Sequence, residues 1–423
     1  MLIKNVRVRN RKGILDIYIK NGKIEKISEN INNIDHVQVI DGKEAFVMPP
    51  YVDSHNHFDY AATYGQPVHN KSGTLFEGLD IWEMRKKRLT ESDIKKRAEK
   101  VLEWQIAQGV QYIRTHVNVS ERDLMSLSAM LEFREEMKKF VDIQIVAFPQ
   151  YGLLNFENGL ELLEEAIKMG AEVVGAIPHL EDTREDAVAS LERMFEIAEK
   201  YQVLVDVHCD EIDDDQSRSL EVLASLARKY EMGPLVTASH TTAMHSYNNA
   251  YTAKLFRLLE RTNINFVVNP VINLHLQGRY DSYPVRRGVT RVKELLEAGL
   301  NVSLGNDDIT DPFYPFGTGN MLDVLYMLLH VSHLLGYEHI RNSFDLITTN
   351  GAQTLNIKEH YGIEEGKPAN LIILPAENEY DIIRRRIKPI YSIRNGEIIA
   401  KSTPETFNVY LDKGAKRVNF KID

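Results

Sequence analysis

His55-Asn56-His57 places two imidazoles one residue apart, directly after the apolar run Ala45-Phe46-Val47-Met48-Pro49-Pro50-Tyr51-Val52. In an extended strand alternate residues share a face, so both rings point the same way and can grip one ion. Alone, such a pair is commonplace, and partners elsewhere must decide whether it binds metal. Those partners recur at the ends of strand-like runs. Gln150 follows Ile145-Val146-Ala147-Phe148-Pro149; His208, Asp210 and Glu211 follow Leu204-Val205-Asp206-Val207; His240 follows Val236-Thr237-Ala238-Ser239; Asp307 and Asp308 follow Val302-Ser303-Leu304-Gly305-Asn306.

The residue types admit few roles. Three neutral imidazoles (His55, His57, His208) and one carboxylate (Asp307) make a donor set suited to Zn2+ or Fe2+, with a position left for water. Such an ion lowers the pKa of its water from about 15.7 towards about 7, and Asp307 can take the proton. Glu211, just beyond His208, can carry a proton to a ring nitrogen and on to a leaving group. Its competing role is a solvated member of the acidic run Asp210 to Asp215. His240 is either a further ligand or a donor that polarises the attacking water, and the second role is expected. Gln150 offers an acceptor and a donor on one amide, the match for an –NH–C(=O)– substrate edge. His69, His116, His179, His245 and His275 are expected to be structural or to support the ligands.

Positioning these groups requires elements that converge. Short apolar runs alternate with amphipathic stretches: Val110 to Val117 precedes a helix-like Glu121 to Lys139, and Ile143 to Phe148 precedes Gly159 to Met169. Further strand-like runs are Val173 to Ile177, Leu204 to Val207, Val236 to Ser239, Asn265 to Asn269 and Asn301 to Leu304. With Val47 to Ser54 counted first, these repeated βα units predict a parallel (β/α)8 TIM barrel over residues 49–367, whose C-terminal rim carries the polar residues. An open doubly wound sheet is the alternative. The chain's two ends read differently. Ile3 to Val8, Leu15 to Ile19 and Lys23 to Ile27, the last two joined at Asn21-Gly22, resemble Ala369 to Leu374 and Ile390 to Ile399, which turns at Asn395-Gly396. Residues 1–48 and 368–423 are therefore expected to form one small β-sandwich domain.

Bulk properties narrow the function classes. At 423 residues the chain is long enough for a deep site. Composition is 43% hydrophobic and 26% charged, without the run of about 20 apolar residues that a membrane span needs. The start, Met1 to Val8, alternates like a strand and lacks a signal-peptide layout, so a cytoplasmic protein is expected. A single cysteine, Cys209, excludes an intrachain disulfide and any multi-cysteine metal site. The same count excludes the zinc site of the H-x-E and P-C-x-x-C nucleobase-editing deaminases. A net charge of −10 argues against a nucleic-acid binder, which needs a basic surface. The expected partner is a small molecule.

Several segments give the chain a family resemblance: Gln66 to Asn70, Ser72 to Gly78, Arg114-Thr115-His116-Val117, Ile145 to Gln150, Val174 to His179, Asp206-Val207-His208-Cys209-Asp210-Glu211-Ile212-Asp213-Asp214, Thr237 to Asn248, and His275 to Arg279. They resemble the metal-dependent amidohydrolase superfamily and, within it, the bacterial cytosine deaminases. That resemblance implies a (β/α)8 barrel with a β-sandwich, one Fe2+ or Zn2+ ion on His55, His57, His208 and Asp307, Glu211 as proton shuttle, His240 on the water, and Gln150 on the substrate amide. The implied reaction is metal-bound hydroxide attack on C4 of cytosine, releasing ammonia and uracil. It also implies a homo-oligomer, by family precedent a hexamer. Phe148, Asp308 and Phe313 are expected to face the substrate with Gln150. Where cytosine deaminases read His-Asp-Asp and then Asp-Pro-Trp, this chain reads Asn306-Asp307-Asp308 and then Asp311-Pro312-Phe313. A phenyl ring at Phe313 removes volume and an N–H donor, which would admit a larger or differently substituted substrate ring. Alternatives of the same fold are deaminases or ring amidohydrolases of 5-methylcytosine, isocytosine, isoguanine, creatinine or a triazine. From a different class comes a catalytically silent metal- or ligand-binding scaffold, which would need neither Glu211 nor Gln150.

Overall fold

The computed structural model describes residues 1–32, 34–412 and 414–420. The chain divides into two compact units. One comprises Met1–Pro50, Ile106–Gly109 and His360–Asp423, the other Tyr51–Gln105 and Val110–Glu359.

The first unit opens with strands β1 (Leu2–Val8), β2 (Leu15–Lys20), β3 (Lys23–Ser28), β4 (Val39–Asp41) and β5 (Phe46–Met48). Asn21 and Gly22 both take positive φ, the conformation a two-residue β2–β3 hairpin demands. The start of β1 pairs in parallel with β4 and its end with β5.

The second unit is built on β6 (Tyr51–Asn56), β7 (Val110–Asn118), β8 (Asp142–Phe148), β9 (Val173–Ala176), β10 (Leu204–Cys209), β11 (Val236–His240), β12 (Asn265–Val268) and β13 (Asn301–Leu304). These eight strands pair in chain order, all in parallel. A parallel bridge between Asn56 and Asp307 brings the ends of β6 and β13 together. Around it the His57 amide donates to the Asp307 carbonyl at 3.2 Å, and the Asp307 amide donates to the His55 carbonyl at 2.8 Å. The sheet is thus a closed TIM-like barrel, as the alternating pattern predicted.

The chain then returns to the first unit with β14 (Leu371–Leu374), β15 (Tyr391–Arg394) and β16 (Glu397–Lys401). Antiparallel pairing of β14 with β5 completes a mixed sheet ordered β16-β15-β14-β5-β1-β2-β3, with β4 on β1. Its core joins Ile3, Val6, Ile17 and Val47 to Leu371, Ile373 and Ile393, so both ends of the sequence supply it. A separate hairpin pairs β17 (Asn408–Leu411) with β18 (Gly414–Arg417).

Two elements differ from expectation. The apolar run read as a single first barrel strand, Val47 to Ser54, is split at Pro49-Pro50. Proline carries no N–H for a ladder, so the run breaks there. Phe46–Met48 pairs in the mixed sheet and Tyr51–Asn56 in the barrel. The helix read from Glu121 to Lys139 is also shorter, Met125–Met137. Among the described residues no helix is long and apolar enough to cross a membrane.

Candidate metal centre

Four donors meet at the C-terminal rim of the barrel. Donor atoms of His55, His57, His208 and Asp307, all buried, lie within 4.8 Å of one another. His55 Nε2 and His57 Nε2 are each 3.3 Å from Asp307 Oδ1, and His208 Nε2 is 3.3 Å from His57 Nε2. His55 and His208 are the penultimate residues of β6 and β10, rather than residues beyond them, and His57 follows β6 directly. Asp307 adopts φ 65°, and the bridge that joins β6 to β13 fixes it.

The chemistry of this group fits a divalent cation. His55 Nδ1 lies 3.1 Å from Ser239 Oγ, whose single hydrogen goes to Asp206 Oδ1 at 2.6 Å. Ser239 must therefore accept from His55 Nδ1–H, which leaves Nε2 unprotonated and free to coordinate. Asp206 is in turn held by Arg114 Nη1 at 2.8 Å, and that guanidinium also reaches Thr237, Gln144 and the Thr354 carbonyl. Burial holds the His208 and His55 imidazoles below the usual histidine range, the neutral state that a ligand requires. Burial would raise the Asp307 carboxyl, but it is held below the ordinary carboxylate range, with the charge of the facing His240 the largest of the effects that outweigh burial.

Beside the four donors stands a second group. His240 Nδ1 is 3.1 Å from Glu211 Oε1 and 3.7 Å from Asp307 Oδ2. Burial opposes protonation of His240, but the Glu211 and Asp307 carboxylates outweigh it and push its pKa up to about 9.

A cavity of ≈ 360 Å³ adjoins the two groups. Gln150, Phe148, Asp308 and Phe313 all line it, as do His57, His208, Glu211 and Asp307. Phe148 stacks on His208 with ring centroids 4.0 Å apart, and Tyr60 stacks on His57 at 4.7 Å. Phe313 rests edge-on against Tyr60 and over Gly78, where a Cβ would come within 2.7 Å of its ring. Asp311 fixes the Phe313 loop by accepting from the Phe313 and Tyr314 amides, both at 2.9 Å. The Gln150 Oε1 is buried with no protein partner, and so is Asp308 Oδ1.

Of the other histidines, His116 stacks on His55 at 3.8 Å and His179 lines the cavity, whereas His245 is not among the cavity-lining residues. His69 packs by Tyr64, and His275 by Tyr314 and Arg279. Sequence reading misses several residues that support the site. Asn269, just after β12, and Asn273, in the helix Pro270–Leu276 that follows, reach His240 with amide nitrogens 3.4 and 3.2 Å from Nδ1. Nothing in the type or spacing of an asparagine marks it, and Pro270 opening the helix Pro270–Leu276 is the only local signal.

Comparison with known proteins agrees with this geometry. The model of a family described as the amidohydrolase family matches residues 38–400. N-isopropylammelide isopropyl amidohydrolase of Pseudomonas sp. (strain ADP) is 29% identical over 411 residues, 95% of this chain and 97% of that one. Pterin deaminase of Rhizobium rhizogenes is 26% identical over 395 residues, 92% of this chain and 89% of the relative. Among solved structures, 5-methylcytosine deaminase from Klebsiella pneumoniae liganded with 5-fluorocytosine superposes with a TM-score of 0.93 at 47% identity, covering 96% of this chain and 98% of that one.

Proposed function

The chain belongs to the amidohydrolase family, and from that premise we propose that it is a metal-dependent deaminase of a free cytosine-type base. One juxtaposition carries the reading: three of the four metal donors (His57, His208 and Asp307), Glu211 of the Glu–His pair, and Gln150, whose amide oxygen has no protein partner, line a single cavity. A scaffold that only bound metal would need neither Glu211 nor Gln150. The finer reading puts 5-methylcytosine ahead of cytosine. Its support is the 47% identity to a 5-methylcytosine deaminase and the phenyl ring of Phe313, which takes less room than an indole. A homo-oligomer belongs to the same proposal.

The bound ion, Fe2+ or Zn2+, supplies the Lewis acidity that makes water a nucleophile at neutral pH. The chain's own residues do the rest. Gln150 takes the –NH–C(=O)– edge of the ring, its free Oε1 accepting the ring N–H. That contact presents N3 to Glu211 and C4 to the attacking water. His240 orients the water by hydrogen bonding. Glu211 passes one of the water's two protons to N3 as the O–C4 bond forms and C4 becomes tetrahedral. The remaining proton, on the C4 hydroxyl, is taken by Asp307 and reaches the amino group through Glu211, so the C4–N bond breaks and ammonia departs as the 4-oxo ring re-forms.

Ammonia release by the metal-loaded enzyme tests this, with 5-methylcytosine, cytosine, isocytosine, isoguanine, creatinine and a triazine compared at equal concentration. The expected order of kcat/KM is 5-methylcytosine above cytosine, with the rest far below. Turnover confined to a ring outside the cytosine pair would overturn the substrate assignment and leave the family standing.

A further inference from the structure

We infer that Asn273 is a positioning residue for proton transfer: its side-chain amide holds the Glu211 carboxylate towards the substrate cavity. The inference rests on the reading of Glu211 as the proton carrier. Glu211 stands where β10 gives way to a loop, and Ile212 and Asp214 to Gln216 beside it are exposed. A glutamate at such a position keeps several rotamers within reach of water, and each rotamer away from the cavity is unproductive. Asn273 is fully buried, and its Nδ2 donates to Glu211 Oε1 at 2.9 Å while lying 3.2 Å from His240 Nδ1. The helix Pro270–Leu276 carries it, entered directly from the end of β12, so the donor is mounted on a short rigid element rather than on a loop.

The chemistry of the amide suits the task. A lysine there would pair with the carboxylate and reduce its proton affinity, and a second carboxylate would repel it. His240 Nδ1 already lies 3.1 Å from the same Oε1, and a neutral N–H from Asn273 adds direction to Glu211 without adding a second charge. The orientation of the amide is fixed by the same contact, since the reverse would set Oδ1 against a carboxylate oxygen. Asn273 Oδ1 is left buried with no protein partner, a cost the site bears for the sake of Nδ2.

Steady-state kinetics of metal-loaded Asn273→Ala and Asn273→Asp, with metal content measured on each, test the inference. Removing a hydrogen bond to a charged group predicts a fall in kcat of about tenfold to a hundredfold in Asn273→Ala, with KM changed less than about twofold. Asn273→Asp keeps the shape and loses the donor, so its kcat should fall at least as far. A kcat near that of the parent in Asn273→Asp would show a space-filling role and overturn the inference, as would a loss expressed in KM or an unaffected Asn273→Ala. Glu211→Gln, which keeps an acceptor for Asn273 but cannot carry the proton, separates the two readings. If Glu211→Gln stays active, the proton-carrier reading fails. If it is inactive with metal bound while both Asn273 variants are unimpaired, only the present inference fails.

Discussion

At the scale of single residues, the proposed preference for 5-methylcytosine turns on Phe313. Its ring sits between Tyr60 and the bare backbone of Gly78, and Asp311 pins its loop through two amide hydrogen bonds. Phe313→Trp therefore pushes bulk into the cavity and not into solvent. It should lower kcat/KM for 5-methylcytosine relative to cytosine by about tenfold, in the range expected when a pocket loses room for one carbon. Competition between the two bases in one reaction, read by chromatography, measures that ratio directly. The ligands were legible in the sequence because histidine and aspartate announce their chemistry and the strand pattern gave their address. Asn273 was not, because its contribution is a direction given to another side chain, and direction depends on how a helix leaves β12. The Ser239–Asp206–Arg114 chain behind His55 was hidden for a related reason: its members stand on different strands and share no spacing.

Among elements, the barrel strands were read from their apolar runs with small errors at the ends. The failure at Pro49-Pro50 has a physical origin, since apolar periodicity reports burial and is silent on which sheet buries a run. Phe46–Met48 and Tyr51–Asn56 are both fully buried, on different ladders. Inside the barrel, charge replaces part of the expected apolar filling. Arg114 on β7 and Asp206 on β10 pair at 2.8 Å with side chains 1% and 0% exposed. Arg114→Met would leave Asp206 ionised and without its cation, which costs about 3–5 kcal/mol for a broken buried pair. Denaturant unfolding should show that loss, and metal content should fall with it, because Asp206 orients His55 through Ser239. A variant as stable as the parent would mean that Asp206 is neutralised at little cost.

For the molecule as a whole, the return of the C-terminal strands to β5 was foreseeable because both ends of the sequence share one texture of short strands and Asn-Gly turns. How the barrel closes was not foreseeable from any local pattern. Seven paired positions join β7 to β8, but a single bridge, Asn56 with Asp307, joins β6 to β13. His55 and His57 stand on one side of that joint and Asp307 on the other. An ion gripped by all three works as a clasp on the ring of strands, and its binding energy becomes folding energy at that joint. Chelation should accordingly lower Tm and speed hydrogen exchange in peptides spanning 51–57 and 301–308, while the β7–β8 ladder keeps its protection. Acceleration spread evenly over all eight strands would count against the clasp. If it holds, the catalytic ion is also the last stitch of the barrel, and starving the cell of metal would disarm the enzyme and loosen its fold in the same stroke.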